Sequence, residues 1–348
     1  MPAGSLAVSL VVTLVTMSAM RPAALKMGLV DRPGGRKTHE VDVPTTGGLA
    51  MFIGMALGFL VVPALDSHFL YLLVAGGLLV AIGLLDDMFQ ISTSVRTLAQ
   101  LSAVGIMTFG GGALLHDIGD PVWMGTINLG PAALIGTAIV TLTVINAFNF
   151  VDGIDGLAGC LALIALLSIA IVAGAGSPVC VLAVVAASAV VAFLAFNVPL
   201  AALRRVRCFM GDAGSTFLGL VIVWLTISIS QGDLRTISPV TGIWFVAIPL
   251  FDIVTCCVRR VASGKSPWTS DLDHFHHLLK RGGFGPIQNL TVLVGLQALY
   301  AAFGLLGHFS GISDSVMFTI WSILGFAQYS LIKFLVVMHR RAVLSMAR

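Results

Sequence analysis

Apolar residues run through this chain in long blocks separated by short polar stretches. Eleven blocks approach the length a helix needs to cross a bilayer: 3–20, 46–64, 69–85, 96–115, 131–148, 157–174, 179–196, 214–231, 238–256, 289–308 and 314–338. They are continuously apolar and do not alternate with period two, so they read as helices and not as barrel strands. The pattern predicts an all-α, polytopic integral membrane protein with about eleven transmembrane helices, forming one domain over 1–348. Most connections are too short for a globular extramembrane domain. The first block lacks a basic leader and reads as a retained span, not a cleaved signal.

Composition agrees. Of 348 residues, 57% are hydrophobic and only 10% charged, with a mean hydropathy of +1.01. The five cysteines (Cys160, Cys180, Cys208, Cys256, Cys257) form no CxxC pair and no metal spacing. They read as small apolar fillers.

Charge placement orients the chain. With eleven spans, 17 of the 19 Lys and Arg residues fall on one side, in loops 21–45, 197–213 and 257–288, at Arg96 and at the C-terminus. Arg235 lies opposite and Lys333 inside the last span. Basic loops stay in the cytoplasm, which predicts an outside N-terminus and a cytoplasmic C-terminus. Eleven of the 16 acids gather on or near the same face. A transporter places ionisable groups near mid-bilayer. This distribution favours chemistry at the cytoplasmic surface instead, although an anion or nucleotide transporter stays as a remote alternative.

Five segments on that face carry candidate chemistry. "RKTHEVDVPTTGG" (36–48) offers Lys37 and His39 to phosphate, and its paired glycines let a ligand approach the backbone. "LLDDMF" (84–89) sets Asp86 beside Asp87, two carboxylates that repel unless a cation lies between them. Arg96 follows ten residues later. "NAFNFVDGIDGLAG" (146–159) holds Asn146, Asn149, Asp152 and Asp155. On a continuous helix the last three share one broad face. "RCFMGDAGS" (207–215), after "FNVP" (196–199), sets Asp212 between glycines before the eighth span. "SGKSPWTSDLDHFHHLLKRGG" (263–283) lacks the first glycine of a P-loop and contains no HExxH. Lys265, His274, His276 and His277 there read as an anion clamp. Each segment has an ordinary alternative as a basic loop, a solvated helix end or an N-cap. Together they suit phosphoryl transfer, in which cations neutralise the transferring oxygens.

In this order the motifs resemble the polyprenyl-phosphate N-acetylhexosamine-1-phosphate transferases. The resemblance covers about residues 28–290 and includes "GLVDRPGGRKTH", "PTTGG", "LLDD", "NAFNFVDGIDGLAG", "FNVP", "FMGDAGSTFLG", "PLFD" and "SPWTSDLDHFHHLLKRGG". It implies a bacterial plasma-membrane enzyme of ten or more helices whose active site faces the cytoplasm. That site would be built from loops 21–45, 86–96, 148–156, 197–213 and 257–288. It further implies Mg²⁺, with Mn²⁺ as an alternative, and transfer of a sugar 1-phosphate from a UDP-sugar to a polyprenyl phosphate with release of UMP.

Matched by motif, Asp86 and Asp87 correspond to the essential pair. Asp87, Asn149 and Asp212 correspond to metal-site residues, and Asp152 and Asp155 to the loop near the nucleotide. Asn197 and Phe209 correspond to uridine contacts, and His274, His276 and His277 to the histidine motif. Lys37, His39, Arg96, Asn146 and Lys265 complete the expected substrate-binding set. Nucleic acid is not expected as a partner, and a homodimer is compatible with the resemblance.

"HFHHLL" interrupts the histidine run that muramoyl-pentapeptide transferases show, and no lysine follows soon after the DD pair. Both departures point to the undecaprenyl-phosphate N-acetylglucosamine-1-phosphate transferase branch, which begins O-antigen and related cell-surface glycans. Another UDP-N-acetylhexosamine or the muramoyl-pentapeptide substrate is the alternative. One-step displacement and a phospho-aspartyl route both stay open at this point.

Overall fold

A computed structural model describes residues 3–31, 42–63, 66–198, 208–264 and 274–346. Lys37, His39 and Lys265 lie outside them. Among the described residues the fold is all-α apart from a two-residue antiparallel pair, β1 (Val30–Asp31) with β2 (Val43–Pro44). The helices are α1 (Ala3–Met27), α2 (Gly47–Leu60), α3 (Leu70–Phe89), α4 (Thr93–Gly105, extended by a π turn to Gly110) and α5 (Ala133–Val151). Then come α6 (Leu157–Ala173), α7 (Pro178–Asn197), α8 (Gly211–Ser230), α9 (Pro239–Trp244) and α10 (Ala247–Ala262). Last are α11 (Phe275–Arg281), α12 (Pro286–Phe309) and α13 (Asp314–Met346).

Among the described residues, seven helical stretches are long and apolar enough to cross a membrane, at Ala3–Met27, Ser67–Phe89, Gly130–Val151, Pro178–Asn197, Gly211–Ser230, Pro286–Phe309 and Asp314–His339. Large apolar side chains such as Val15, Ile139, Leu299, Leu306 and Phe326 stand exposed along them, as a lipid-facing surface requires. This is a multi-pass membrane protein.

Burial inverts the soluble pattern in α1. Its inward face is Ser5, Ser9, Thr13, Met17 and Ala24, while Val11 and Val15 point out. Small residues let helices approach closely where lipid is as apolar as leucine. A Cβ on Gly54 of α2 would overlap the Thr13 hydroxyl, and one on Gly58 would crowd Ser9. By contrast α8 is apolar on all sides and buried almost throughout, and is the central helix against which α2, α3, α5 and α6 pack.

The 238–256 block is not one helix. Pro249 has no N–H to return to the carbonyl of Phe245, and the helix breaks between α9 and α10. Buried Gln297 of α12 repairs the gap. Its Nε2 donates to the carbonyls of Trp244 (3.1 Å) and Phe245 (3.0 Å), and its Oε1 accepts from Ile248 N (2.9 Å).

Among the described residues, the ion pairs gather at the two ends of the bundle. At one end, Arg235 pairs with Asp117 (2.7 Å), Gln231 bridges the 116–117 backbone and Ser238 donates to Asp314 (2.6 Å). The other end holds the candidate site.

Candidate functional site

Three close helix approaches build the site. A Cβ on Gly83 of α3 would overlap the Ala213 backbone of α8, so α3 and α8 touch there. One turn further along α3, Asp86 and Asp87 meet the start of α8. Gly219 of α8 likewise lies against the Ile145 backbone of α5. One turn from that crossing, Asn149 faces Asp212 and Ser215. The third approach joins the 44–48 segment to 208–210: Phe209 N donates to Pro44 O (2.8 Å), Gly47 N to Phe209 O (3.0 Å) and Gly48 N to Met210 O (3.0 Å). Gly211 completes the corner at φ +69°, a left-handed value that suits glycine.

Asp87, Asn149 and Asp212 therefore converge. Asp212 N donates to Asp87 Oδ1 (3.2 Å), and Asn149 Nδ2 donates to Asp212 Oδ1 (2.7 Å) and Ser215 Oγ (3.1 Å). In this geometry Asn149 turns its amide nitrogen to Asp212 and steadies that carboxylate. Arg96 of α4 reaches across, with Nη1 2.9 Å from Asp86 Oδ2 and 3.6 Å from Asp212 Oδ2. The neighbouring acids thus differ: Asp86 is paired, whereas Asp87 Oδ2 is buried with no hydrogen-bond partner among the described residues. An orphaned carboxylate oxygen beside a second carboxylate is the donor set a hard divalent cation takes, so Mg²⁺ fits the residues present.

Asp152 and Asp155 reach the site by a route other than the expected one. Helix α5 ends at Val151, and residues 152–156 form a turn closed by Gly156 at φ +83°, so the shared helical face of Asn149, Asp152 and Asp155 does not exist. Asp152 is still carried to the cluster. Burial, then the charges of Asp212, Asp87 and Asp155, push its carboxyl up to about 8.

Asn146 donates to Gln100 (3.0 Å) and to Leu142 O (2.8 Å). Asn197, expected at the uridine, has both ends of its amide engaged by backbone: Oδ1 accepts from Gly156 N (2.6 Å) and Nδ2 donates to Cys208 O (2.9 Å). It ties the 152–156 turn to the Phe209 segment. Phe209 itself is half-buried in that segment.

The histidines separate into different surroundings. His274 precedes α11 and lines the cavity, with Nδ1 2.8 Å from Asp252 Oδ2. Burial opposes its charge, but hydrogen bonds to Asp252 and Cys256 raise it to about 10. His276 is buried against Gly153, and burial followed by the charges of His277 and His274 holds it well below the usual imidazole range. His277, half-buried, is lowered by the same kinds of cause. The three histidines thus occupy three different environments.

Cys256 also departs from the filler reading. Positions 252 and 256 lie one turn apart on α10, which turns the thiol toward His274 (Sγ to Nδ1 3.4 Å) and Arg259 (Nη2 to Sγ 3.3 Å). Asp252 stands in "PLFD" and was given no role by the sequence reading, yet it is almost fully buried and also accepts from Phe275 N (2.8 Å). Arg260, counted only for orientation, is buried and lines the cavity over the Phe150 ring at 6.0 Å.

That cavity measures about 600 Å³. Asp86, Arg96, Asn149, Asp212, Arg260 and His274 all line it. Leu79, Ile82 and Ile253 add apolar lining. The cavity thus brings carboxylate, amide and guanidinium groups together with apolar side chains.

Known proteins with related sequences agree with this architecture. The profile of Glycosyl transferase family 4 matches residues 69–230. An undecaprenyl-phosphate alpha-N-acetylglucosaminyl 1-phosphate transferase of Yersinia pestis is 36% identical over 291 residues, covering 83% of this chain and 79% of its own. The protein of that name in Escherichia coli K12 is 35% identical, covering 89% of this chain and 84% of its own. Its namesake in Haemophilus influenzae is 34% identical, covering 90% and 88%. With likeness of this extent over most of its length, the chain belongs to glycosyl transferase family 4.

Proposed function

We propose that this protein transfers N-acetylglucosamine 1-phosphate from UDP-N-acetylglucosamine to undecaprenyl phosphate, giving the lipid diphosphosugar and UMP. The observation that carries this reading is the convergence of Asp87, Asn149 and Asp212 from three separate helices beside Arg96, next to a cavity that also has apolar lining. The relatives' names supply the sugar and the lipid.

In the reaction an oxygen of the lipid phosphate forms a bond to the sugar-bearing phosphorus, and the bond from that phosphorus to the UMP oxygen breaks. A phosphate monoester has a second pKa near ~6, so the nucleophile is largely deprotonated at neutral pH. Arg96 neutralises phosphate oxygens while Asp86 fixes its guanidinium. Asp87 and Asp212 would hold Mg²⁺, with Mn²⁺ as a substitute and Asn149 beside them, and a bound cation would draw charge from the diphosphate. Asn149 and Ser215 keep the Asp212 carboxylate in place, and Arg260 and His274, which line the same cavity, add cationic groups for the anion. Leu79, Ile82 and Ile253 seat the start of the lipid chain.

The helix path supports eleven crossings, with α9 and α10 counted as one and α11 lying at the site end. The positive loops make that end cytoplasmic and leave Arg235 outside. We place the protein in the bacterial inner membrane with the site toward the cytosol.

Membranes containing the protein, given radiolabelled UDP-N-acetylglucosamine and undecaprenyl phosphate, are expected to move label into the lipid phase only with Mg²⁺ or Mn²⁺ present. Asp212→Asn should lower turnover by about 10³-fold or more while the protein still inserts. Full turnover by that variant would remove Asp212 from the site, and label retained inside sealed vesicles would indicate transport.

A further inference from the structure

We infer that Asp252 is a positioning residue for the transfer: it fixes the His274 ring through Nδ1 so that Nε2–H faces the donor diphosphate in the cavity. This rests on the proposed function and adds to it a residue that no motif role covers.

The geometry assigns the two ring nitrogens. Nδ1 lies 2.8 Å from Asp252 Oδ2 and 3.4 Å from Cys256 Sγ, so that side of the ring is occupied. The ring also lines the cavity, which leaves Nε2 as the nitrogen available to a ligand. Asp252 is itself held rigidly. Its other oxygen accepts from Phe275 N at 2.8 Å, so one carboxylate anchors both the first residue of α11 and the histidine before it. An imidazole clamped by a carboxylate on one nitrogen presents the other in a fixed orientation and tautomer. A carboxylate only 1% exposed within α10 is otherwise costly, and the two donors explain its retention.

The groups around His274 fit a cationic role. From α10 it faces Asp252, Cys256 and, along the cavity wall, Arg260; from α11 it faces His276 and His277. Both neighbouring histidines are held neutral by burial and by charge, His274 included among their causes. A single imidazolium is thus placed among three histidines. It transfers no proton. It holds one at Nε2 for hydrogen bonding to a phosphate oxygen whose charge grows as the bond to UMP breaks.

Asp252, Cys256 and His274 also place three ligand atoms within 4.8 Å of one another, a spacing open to a soft cation such as zinc. Both Asp252 oxygens already accept from N–H groups, which favours the hydrogen-bonded arrangement.

The test uses the full-length protein purified in detergent, with wild type, Asp252→Asn, Asp252→Glu and His274→Gln. Wild type is expected to turn over and to keep its kcat as pH rises from 7 to 9. Asp252→Asn should lose about 10- to 100-fold in kcat at pH 8, with KM for UDP-N-acetylglucosamine changed far less, and should recover part of the loss at pH 6. Asp252→Glu keeps the carboxylate and should retain the flat alkaline profile at reduced kcat, which preserves the test if the Asn variant does not fold. Asp252→Asn combined with His274→Gln should be no worse than His274→Gln alone. An unchanged kcat and pH profile in Asp252→Asn beside an active wild type would overturn the positioning role alone. So would stoichiometric zinc in the purified wild type. A wild type that forms no lipid-linked sugar would instead overturn the functional reading on which the role rests.

Discussion

Asn197 closes α7 with its amide bonded to backbone at both ends, and this decides what its loss should do. Removing the side chain leaves Gly156 N and the Cys208 carbonyl without their partners in a buried position, which costs on the order of 1–3 kcal/mol for each group. Asn197→Ala should therefore lower the Tm by several degrees and reduce kcat and stability together. A selective rise in KM for the UDP-sugar at unchanged Tm would restore a direct uridine contact. The sequence placed this amide at the site but could not show which way it faces. Asp87, Asn149 and Asp212 were easier to read, because acids and amides at the ends of apolar runs demand a polar destination whatever their partners. Asp252 and Cys256 were harder. Their meaning lies in contacts 22 and 18 residues away with His274, and single-residue spacing within "PLFDIVTCC" carries no trace of them.

Among the elements, the long apolar blocks were legible because hydropathy alone marks a crossing. Their interruptions were not. Pro249 sits inside a block that otherwise reads as continuous, and its effect depends on whether a neighbour can satisfy the freed carbonyls. Gln297, 48 residues later, provides that neighbour, bonding three backbone groups across the break. In a water-free setting these bonds have no solvent substitute. Gln297→Leu fills similar volume but strands one N–H and two carbonyls, so it should destabilise the protein by a few kcal/mol. Thermal denaturation in detergent is expected to show a clear fall in Tm, and Gln297→Glu a smaller one than Gln297→Leu. An unchanged Tm in Gln297→Leu would mean that the α9–α10 break closes without it. The loop 148–156 shows the same limit, since residue spacing alone suggests one helical face there. Asn149, Asp152 and Asp155 have helical spacing, but Gly156 at φ +83° follows a turn instead.

At the scale of the whole molecule, chain segments from α3 to α8 bring Asp87, Asp152, Asp155 and Asp212 to one end of the bundle, where their charges act on one another. Folding therefore works against the ionisation of Asp152. Asp152 shows the consequence for stability. Its carboxyl titrates at 3.8 when unfolded and at about 8 in the metal-free fold. Between those values the native state holds a proton that the unfolded chain has released, so stability falls as pH rises through that window and levels off above it. A divalent cation supplies the missing counter-charge and binds only the folded arrangement, which shifts the equilibrium by mass action. In chelator-treated detergent solution, Tm should therefore decline from pH 5 to pH 8. Saturating Mg²⁺ should raise Tm most at the upper end of that range and flatten the slope. Asp152→Asn should flatten it without metal, because a neutral amide has no charge to suppress, and Asp87→Asn should blunt the Mg²⁺ response. Equal Tm with and without Mg²⁺ at pH 8 would show that the clustered carboxylates do not share a cation, and the convergence of α3, α5 and α8 would then need a different chemical purpose.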